Sequence, residues 1–135
     1  KLSRWFNRSE NEQNSEEIAV LCVDDNEATC RAREILLSER GFQIKSAHSG
    51  EAALEVVQSF TPDVALIDLG LPKVSGGELL QQLKCKPTLA NCTFICVTGR
   101  TEGEVPWRDM GFHHFIRKPA DSDIEHLIEV IRKGQ

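Results

Sequence analysis

Apolar residues along this chain fall into five short runs, separated by longer stretches in which apolar positions have helical spacing. Runs 18–23, 64–68 and 93–97 are almost wholly apolar, which predicts strands covered on both faces. Run 42–47 alternates between apolar and polar residues and predicts a half-buried strand, and run 114–117 predicts a fifth. The pattern therefore predicts five strands.

The stretches between these runs predict helices over about 27–40, 49–60, 76–86 and 121–133. Asn26 can cap the first of them, and Gly41 follows its end. The inward stripe predicted for this helix is Ala28, Ala32, Ile35 and Leu36. On the second helix the predicted inward face is Ala53, Val56, Val57 and Phe60. Strands that alternate with helices predict βαβ units and a doubly wound parallel sheet, with strand order 2-1-3-4-5.

Polar residues end or directly follow four of the apolar runs. They are Asp24 with Asp25, Asp68, Thr98 and Lys118. Because the carboxyl ends of parallel strands share one edge of a sheet, we expect these side chains to meet there. Taken singly, each has a simpler explanation: an Asp pair often caps a helix, a Lys-Pro often forms a turn, and a strand-terminal Thr often bonds to backbone.

If Asp24, Asp25 and Asp68 meet at this edge, nearby positive charge is needed to offset their mutual repulsion. Two of them ~4 Å apart repel by roughly 4 kcal/mol at an effective dielectric constant of ~20. Lys118 supplies one cation, and oxygen ligands of this kind favour Mg²⁺ over zinc. A carboxylate beside Mg²⁺, an ammonium and a hydroxyl is equipped for phosphoryl transfer, in which Asp68 would attack phosphorus and form an acyl phosphate.

Composition narrows the class of protein. The 135 residues suit one domain, and we assign 18–135 to it and the polar segment 1–17 to a linker or tail. A net charge of −5 gives a nucleic-acid partner no electrostatic support, and no apolar run is long enough to span a membrane. Five cysteines without a C-x-x-C pair favour reduced thiols and a cytoplasmic location.

Residues from Ile18 to about Lys133 resemble the receiver domain of two-component phosphorelay signalling. The matching motifs are Val23-Asp24-Asp25, Asp68-Leu69-Gly70-Leu71-Pro72 with Gly76, Thr98-Gly99 and Lys118-Pro119. The resemblance implies a flavodoxin-like α/β fold with helices on both faces of the sheet. It also implies a cis peptide bond between Lys118 and Pro119.

The resemblance further assigns roles to the residues at the strand ends. Asp68 would be the phosphoacceptor, and Lys118 would contact the phosphoryl group. The implied Mg²⁺ ligands are Asp25, Asp68 and the backbone carbonyl of Gly70, with Asp24 acting mostly through water. Thr98 would be the switch hydroxyl. The rotating aromatic position would be Phe115, which has no phenol and would act by packing alone.

The chain departs from the family pattern between its switch residue and its lysine. Segment 99–111 is short, and Gly103 and Pro106 interrupt any long helix there. We therefore expect a shortened fourth helix of one or two turns, or an ordered loop held by Trp107. In many receivers this helix belongs to the surface used for dimerisation or for an output domain.

The function indicated is that of a phosphoacceptor module, which receives a phosphoryl group from phosphohistidine and turns over no separate substrate. Its partner would be a histidine kinase or a histidine phosphotransfer domain. The parent protein is expected to be a hybrid sensor histidine kinase, with a stand-alone or effector-linked response regulator as the alternative. A Mg²⁺-dependent phosphatase is a remote alternative, because Gly70 stands where such enzymes place a second aspartate. An FMN binder and a docking-only fold are disfavoured by the acidic pair and the complete set of site residues.

Overall fold

A computed structural model describes residues 18–118 and 124–133. The strands are β1 (Ala19–Val23), β2 (Gln43–Ala47), β3 (Val64–Asp68), β4 (Thr93–Thr98) and β5 (His114–Arg117). The α-helices are α1 (Glu27–Glu39), α2 (Gly50–Val56), α3 (Gly76–Lys84), α4 (Trp107–Met110) and α5 (Ile124–Lys133). Single 3₁₀ turns lie at Pro87–Leu89 and Glu102–Glu104.

The five strands form one parallel sheet in the order β2-β1-β3-β4-β5, which confirms the predicted topology. Strands β1, β3 and β4 are buried along their whole length, as their apolar runs predict. One core layer packs residues of α2, α3 and α4 against the sheet, and a second layer packs residues of α1 and α5 against its other face. The chain reverses direction across the sheet between β1 and β3, so a crevice opens at their carboxyl ends.

Helix α2 ends earlier than the sequence predicts. Its last residue is Val56, with Val57 as the C-cap, whereas the prediction extended it to Phe60. The amides of Gln58 and Ser59 bond to carbonyls three residues earlier, so the chain tightens out of the α-helix.

The inward stripe predicted for α1 is wrong at Ala28 and Ile35, whereas Ala32 and Leu36 are half-buried. Ile35 is 54% exposed and Ala28 also faces solvent, whereas Cys30, Arg33 and Leu37 are buried. These three residues follow helical spacing, but an arginine in the middle of the face concealed it from a search for apolar residues. The error matters because Arg33 points toward the site described below.

The fourth helix is a single turn, in agreement with the predicted shortening. Trp107 is 8% exposed and anchors this turn in the core. Gly111 ends it with φ = 109°, a left-handed conformation that glycine adopts at little cost. The side-chain amide of Gln81 donates to the carbonyl of Met110 at 2.9 Å and ties the turn to α3.

Some expectations concern residues outside the described ranges. They are the 1–17 tail, the Lys118–Pro119 peptide bond and the start of the last helix at about Asp121. Within the described ranges, no helix combines the length and the apolar character that crossing a bilayer requires.

Candidate functional site

The polar residues at the strand ends converge at one edge of the sheet. Asp24 directly follows β1, Asp68 is the last residue of β3, and Thr98 is the last residue of β4. Lys118 directly follows β5, and its backbone amide donates to the Thr98 carbonyl at 2.7 Å. Strand pairing thus carries these residues together from distant parts of the sequence.

Three carboxylates form the acidic part of the site. One oxygen from each of Asp24, Asp25 and Asp68 lies within 4.8 Å of the other two. Asp24 is fully buried and Asp68 is 6% exposed, whereas Asp25 faces solvent. Charges of one sign this close repel strongly wherever water is excluded, so the three carboxylates need nearby cations to be stable in their charged form. We call Asp24, Asp25 and Asp68 the acid pocket.

Lys118 supplies one cation to the acid pocket. Its Nζ lies 3.0 Å from Asp24 Oδ2 and 3.3 Å from Asp68 Oδ2. Burial by itself lowers the pKa of Lys118, but the contact with Asp24 and the charge of Asp68 outweigh it and hold the pKa above its ordinary value. The side chain is therefore a charged ammonium that bridges two carboxylates at neutral pH.

The donors of the acid pocket fit a hard divalent cation. Asp24 Oδ1 accepts from the amide of Asn26 at 2.9 Å. Asp24 Oδ2 is buried and, among the described residues, receives no hydrogen bond of ordinary geometry despite its ion pairs. A buried acceptor with spare capacity, beside two further carboxylates, matches the oxygen ligands that Mg²⁺ takes.

Gly70 lies two residues after Asp68, the predicted phosphoacceptor. Its amide donates to Asp68 Oδ1 at 3.0 Å, which orients the carboxylate. The metal-binding role of the Gly70 carbonyl stays a prediction. A second glycine, Gly76, lets the start of α3 approach β3, because a Cβ there would lie 2.5 Å from the Asp68 carbonyl oxygen.

A cleft of about 260 Å³ opens beside Asp68 on the β4 side. Its lining includes Gly70, Thr98 and Arg100 from the strand ends, and Ser75, Gly77 and Met110 from the two helices beside them. The Thr98 hydroxyl oxygen accepts from the amide of Arg100 at 3.3 Å, so its proton is free for another acceptor. The two residues that follow Asp68, Leu69 and Gly70, belong to this lining, so the cleft lies beside the end of β3.

Phe115 lies on β5, and its side chain is half-buried. Its ring centroid is 6.1 Å from that of Trp107, and the ring planes meet at 35°. The packing predicted for the aromatic position therefore involves the one-turn helix α4. This contact links β5 to the segment that departs most from the family pattern.

Sequence reasoning missed three residues beneath Asp24. Arg33 Nη1 lies 3.7 Å from Asp24 Oδ2 and 3.4 Å from Cys22 Sγ, and Cys30 Sγ donates to the Asp24 carbonyl at 3.4 Å. The contact with Cys30 and burial raise the pKa of the Cys22 thiol well above its usual value, so its sulfur stays neutral. The signal available was the spacing of Cys30, Arg33 and Leu37 along one helical face.

Comparisons with known proteins agree with this geometry. The family model of the response regulator receiver domain matches residues 20–132. The transcriptional regulatory protein KdpE of Mycobacterium tuberculosis is 35% identical over 106 residues, which are 77% of this chain and 46% of KdpE. The polar-differentiation response regulator DivK of Brucella ovis is 31% identical over 116 residues, which are 84% of this chain and 93% of DivK.

Among solved structures, the chemotaxis response regulator CheY4 of Vibrio cholerae superposes with a TM-score of 0.80. The two are 21% identical, and the superposition covers 88% of this chain and 99% of CheY4, so this likeness concerns the fold. The chain belongs to the response regulator receiver domain family. It spans less than half of the length of KdpE, which is longer than a receiver domain alone.

Proposed function

We propose that this domain accepts a phosphoryl group on Asp68 from a phosphohistidine, in a Mg²⁺-dependent reaction, and so relays a two-component signal. The observation that carries the proposal is the bridging of Asp24 and Asp68 by the Lys118 ammonium, at 3.0 and 3.3 Å, inside a cluster of three carboxylates. Membership in the receiver family supports the same function.

The Asp68 carboxylate would act as the nucleophile. A bond forms between one of its oxygens and phosphorus while the bond from phosphorus to the histidine nitrogen breaks, and the imidazole leaves with that electron pair. Lys118 lies where it can neutralise charge on the phosphoryl oxygens. Asp24, Asp25 and Asp68, with the Gly70 carbonyl, would hold Mg²⁺, which when bound supplies further neutralisation of phosphoryl charge.

Thr98 and Phe115 would carry the signal away from Asp68. The Thr98 hydroxyl lines the cleft beside Asp68 and would donate to a phosphoryl oxygen. A movement of the Thr98 side chain toward Asp68 would leave space beside β5. Phe115, half-buried against Trp107, would then repack and change the surface that β5 and α4 present.

The domain would therefore turn over no separate substrate, and its partner would be a histidine kinase or a histidine phosphotransfer domain. The net charge of −5 is the reason for assigning it no nucleic-acid contact of its own. All five cysteines are free, which suits a cytoplasmic location.

For the parent protein we propose a hybrid sensor histidine kinase, in which the kinase's own phosphohistidine would supply this receiver. An effector-linked response regulator is the second candidate. It is favoured by the match to KdpE, a transcriptional regulatory protein that is more than twice as long as the matched region. Phosphoryl transfer from a phosphorylated histidine phosphotransfer domain, measured in both directions, separates a relay role from a terminal one.

The test of the central proposal is phosphorylation by a small phosphodonor. The chain is incubated with phosphoramidate and Mg²⁺, and its intact mass is measured. We expect a gain of one phosphoryl group that chelation of the metal abolishes. The variant Asp68→Asn should gain none, whereas Glu55→Gln, which changes an exposed carboxylate on α2, should behave as the wild type. Unchanged incorporation in Asp68→Asn would refute the proposal.

A further inference from the structure

Arg33 places a second cation beneath the acid pocket. It is 1% exposed and lies between Cys30 and Leu37 on the inner face of α1. Its guanidinium Nη1 is 3.7 Å from Asp24 Oδ2 and 3.4 Å from Cys22 Sγ. Because an isolated charge is costly to bury, a guanidinium at this depth has to be compensated by a carboxylate, and Asp24 is in place to do so.

The two cations that face Asp24 Oδ2 differ in their access to water. The Lys118 side chain is 29% exposed, so it can turn toward a phosphoryl group or toward solvent. The Arg33 side chain is 2% exposed and stays where it is. Since a guanidinium does not lose its proton in proteins, the charge of Arg33 is a permanent part of the site.

The charge balance shows what Arg33 does. Asp24, Asp25 and Asp68 carry three negative charges, and the two cations that contact them within residues 18–118, Lys118 and Arg33, leave one of these charges uncompensated. With Lys118 alone, two negative charges would remain, which one divalent cation would neutralise. Arg33 thus supplies within the chain part of the charge that a metal would otherwise bring.

We propose that Arg33 is a positioning residue that fixes Asp24 in the acid pocket with or without metal and lowers the affinity of the pocket for Mg²⁺. The metal-loaded pocket then carries a net positive charge, which favours the incoming phosphoryl group. This inference rests on the proposed function for the identity of the metal. The proposal predicts that removal of the Arg33 charge strengthens Mg²⁺ binding. If Arg33 only held Asp24 in position, its removal would weaken Mg²⁺ binding.

The test is the Kd for Mg²⁺ of the full chain without phosphodonor, measured by calorimetric titration. Arg33→Met, which removes the charge and keeps a long side chain, should bind Mg²⁺ more tightly by roughly tenfold or more, because even in water a unit charge ~6 Å from a divalent ion has that effect. Arg33→Lys, which keeps the charge, should stay within about threefold of the wild type. Arg31→Met is the matched control: Arg31 is exposed on the same helix, and solvent screens its charge.

Equal or weaker Mg²⁺ binding by Arg33→Met, in a wild-type background that binds Mg²⁺, would overturn this inference alone. A wild-type chain that binds no Mg²⁺ would overturn the proposed function and the inference with it. Stability gives a second measurement, since Arg33→Met and Arg33→Gln should lose stability without metal and regain most of it with Mg²⁺. Variants that stay unfolded at saturating Mg²⁺ would also contradict the inference.

Discussion

The acid pocket has two sides that are built differently. We call them the β1–α1 side, defined by Asp24, Cys30, Arg33 and Leu37, and the β4–β5 side, defined by Thr98, Arg100, Trp107 and Phe115. On the β1–α1 side every one of these residues is at most 1% exposed. On the β4–β5 side Arg100 is exposed, Phe115 is half-buried, and a cleft opens beside Thr98.

This difference separates two tasks that the site has to perform. Buried charge on the β1–α1 side fixes Asp24 in one place, where an oxygen can serve a metal. The β4–β5 side has a one-turn helix, a 3₁₀ turn and open space, so fewer contacts oppose its movement. We therefore expect the β1–α1 side to hold the reacting groups rigidly. The β4–β5 side is expected to move in response to phosphorylation.

Hydrogen exchange of backbone amides should show the largest contrast between the two sides. Leu37 is buried on the inner face of the 13-residue helix α1, and Met110 lies in the four-residue helix α4. After correction for intrinsic rates, we expect the Met110 amide to exchange at least roughly a hundredfold faster than that of Leu37, because short, partly exposed elements open locally. Equal protection of both amides would remove the basis of the comparison.

Removal of the Lys118 charge should have the next largest effect. Lys118 spans both sides, since it contacts Asp24 on one and follows β5 on the other. In Lys118→Met we expect the rate of phosphorylation by phosphoramidate to fall roughly a hundredfold, as for loss of one donor to a developing negative charge. Lys133→Met, at a lysine that is 70% exposed on α5, is the control and should react at the wild-type rate.

The pH dependence of stability should give the smallest effect. The pKa of Lys118 is raised in the folded state, so the folded chain keeps this proton at pH values where the unfolded chain has lost it. Its stabilising contribution is therefore fully present below the unfolded pKa, about 10.4, and is lost as pH rises through the higher folded value. The stability difference between wild type and Lys118→Met, measured by urea unfolding, should be constant from pH 7 to 9 and shrink only above that.

A difference that already shrinks between pH 7 and 9 would contradict this assignment of the Lys118 pKa. Wild type and Lys118→Met share all other titrating groups. The pH dependence of their difference in unfolding free energy therefore reports on Lys118. Added Mg²⁺ would compete with the ammonium for Asp24 and Asp68, so the comparison is made in the presence of a chelator.

The sequence predicted the sheet and the residues at its edge because both follow from short-range patterns. Three almost wholly apolar runs, separated by stretches with helical spacing, favour buried parallel strands, and the polar residues at the ends of such strands meet at one edge of the sheet. For segment 99–111 the sequence predicts a helix of one or two turns or an ordered loop held by Trp107, since Gly103 and Pro106 interrupt a long helix, and the structure has the single turn.

The buried face of α1 could not be predicted in the same way. Arg33 is the kind of residue that a hydrophobic stripe excludes, and its burial depends on a carboxylate that another element supplies. The burial of Arg33 can be inferred only once the packing of α1 against β1 is known. Ile35, a large apolar residue, is exposed for the complementary reason that the inner face is already occupied.

The most direct measurement of the central claim locates the phosphoryl group on the wild-type chain. After reaction with phosphoramidate and Mg²⁺, borohydride reduces an acyl phosphate to an alcohol, and peptide mass spectrometry identifies the reduced residue. We predict a single modified residue, Asp68, whose carboxylate is contacted by the Lys118 ammonium at 3.3 Å. Modification of Asp24 or Asp25, or of no residue in a chain that has gained a phosphoryl group, would contradict the account.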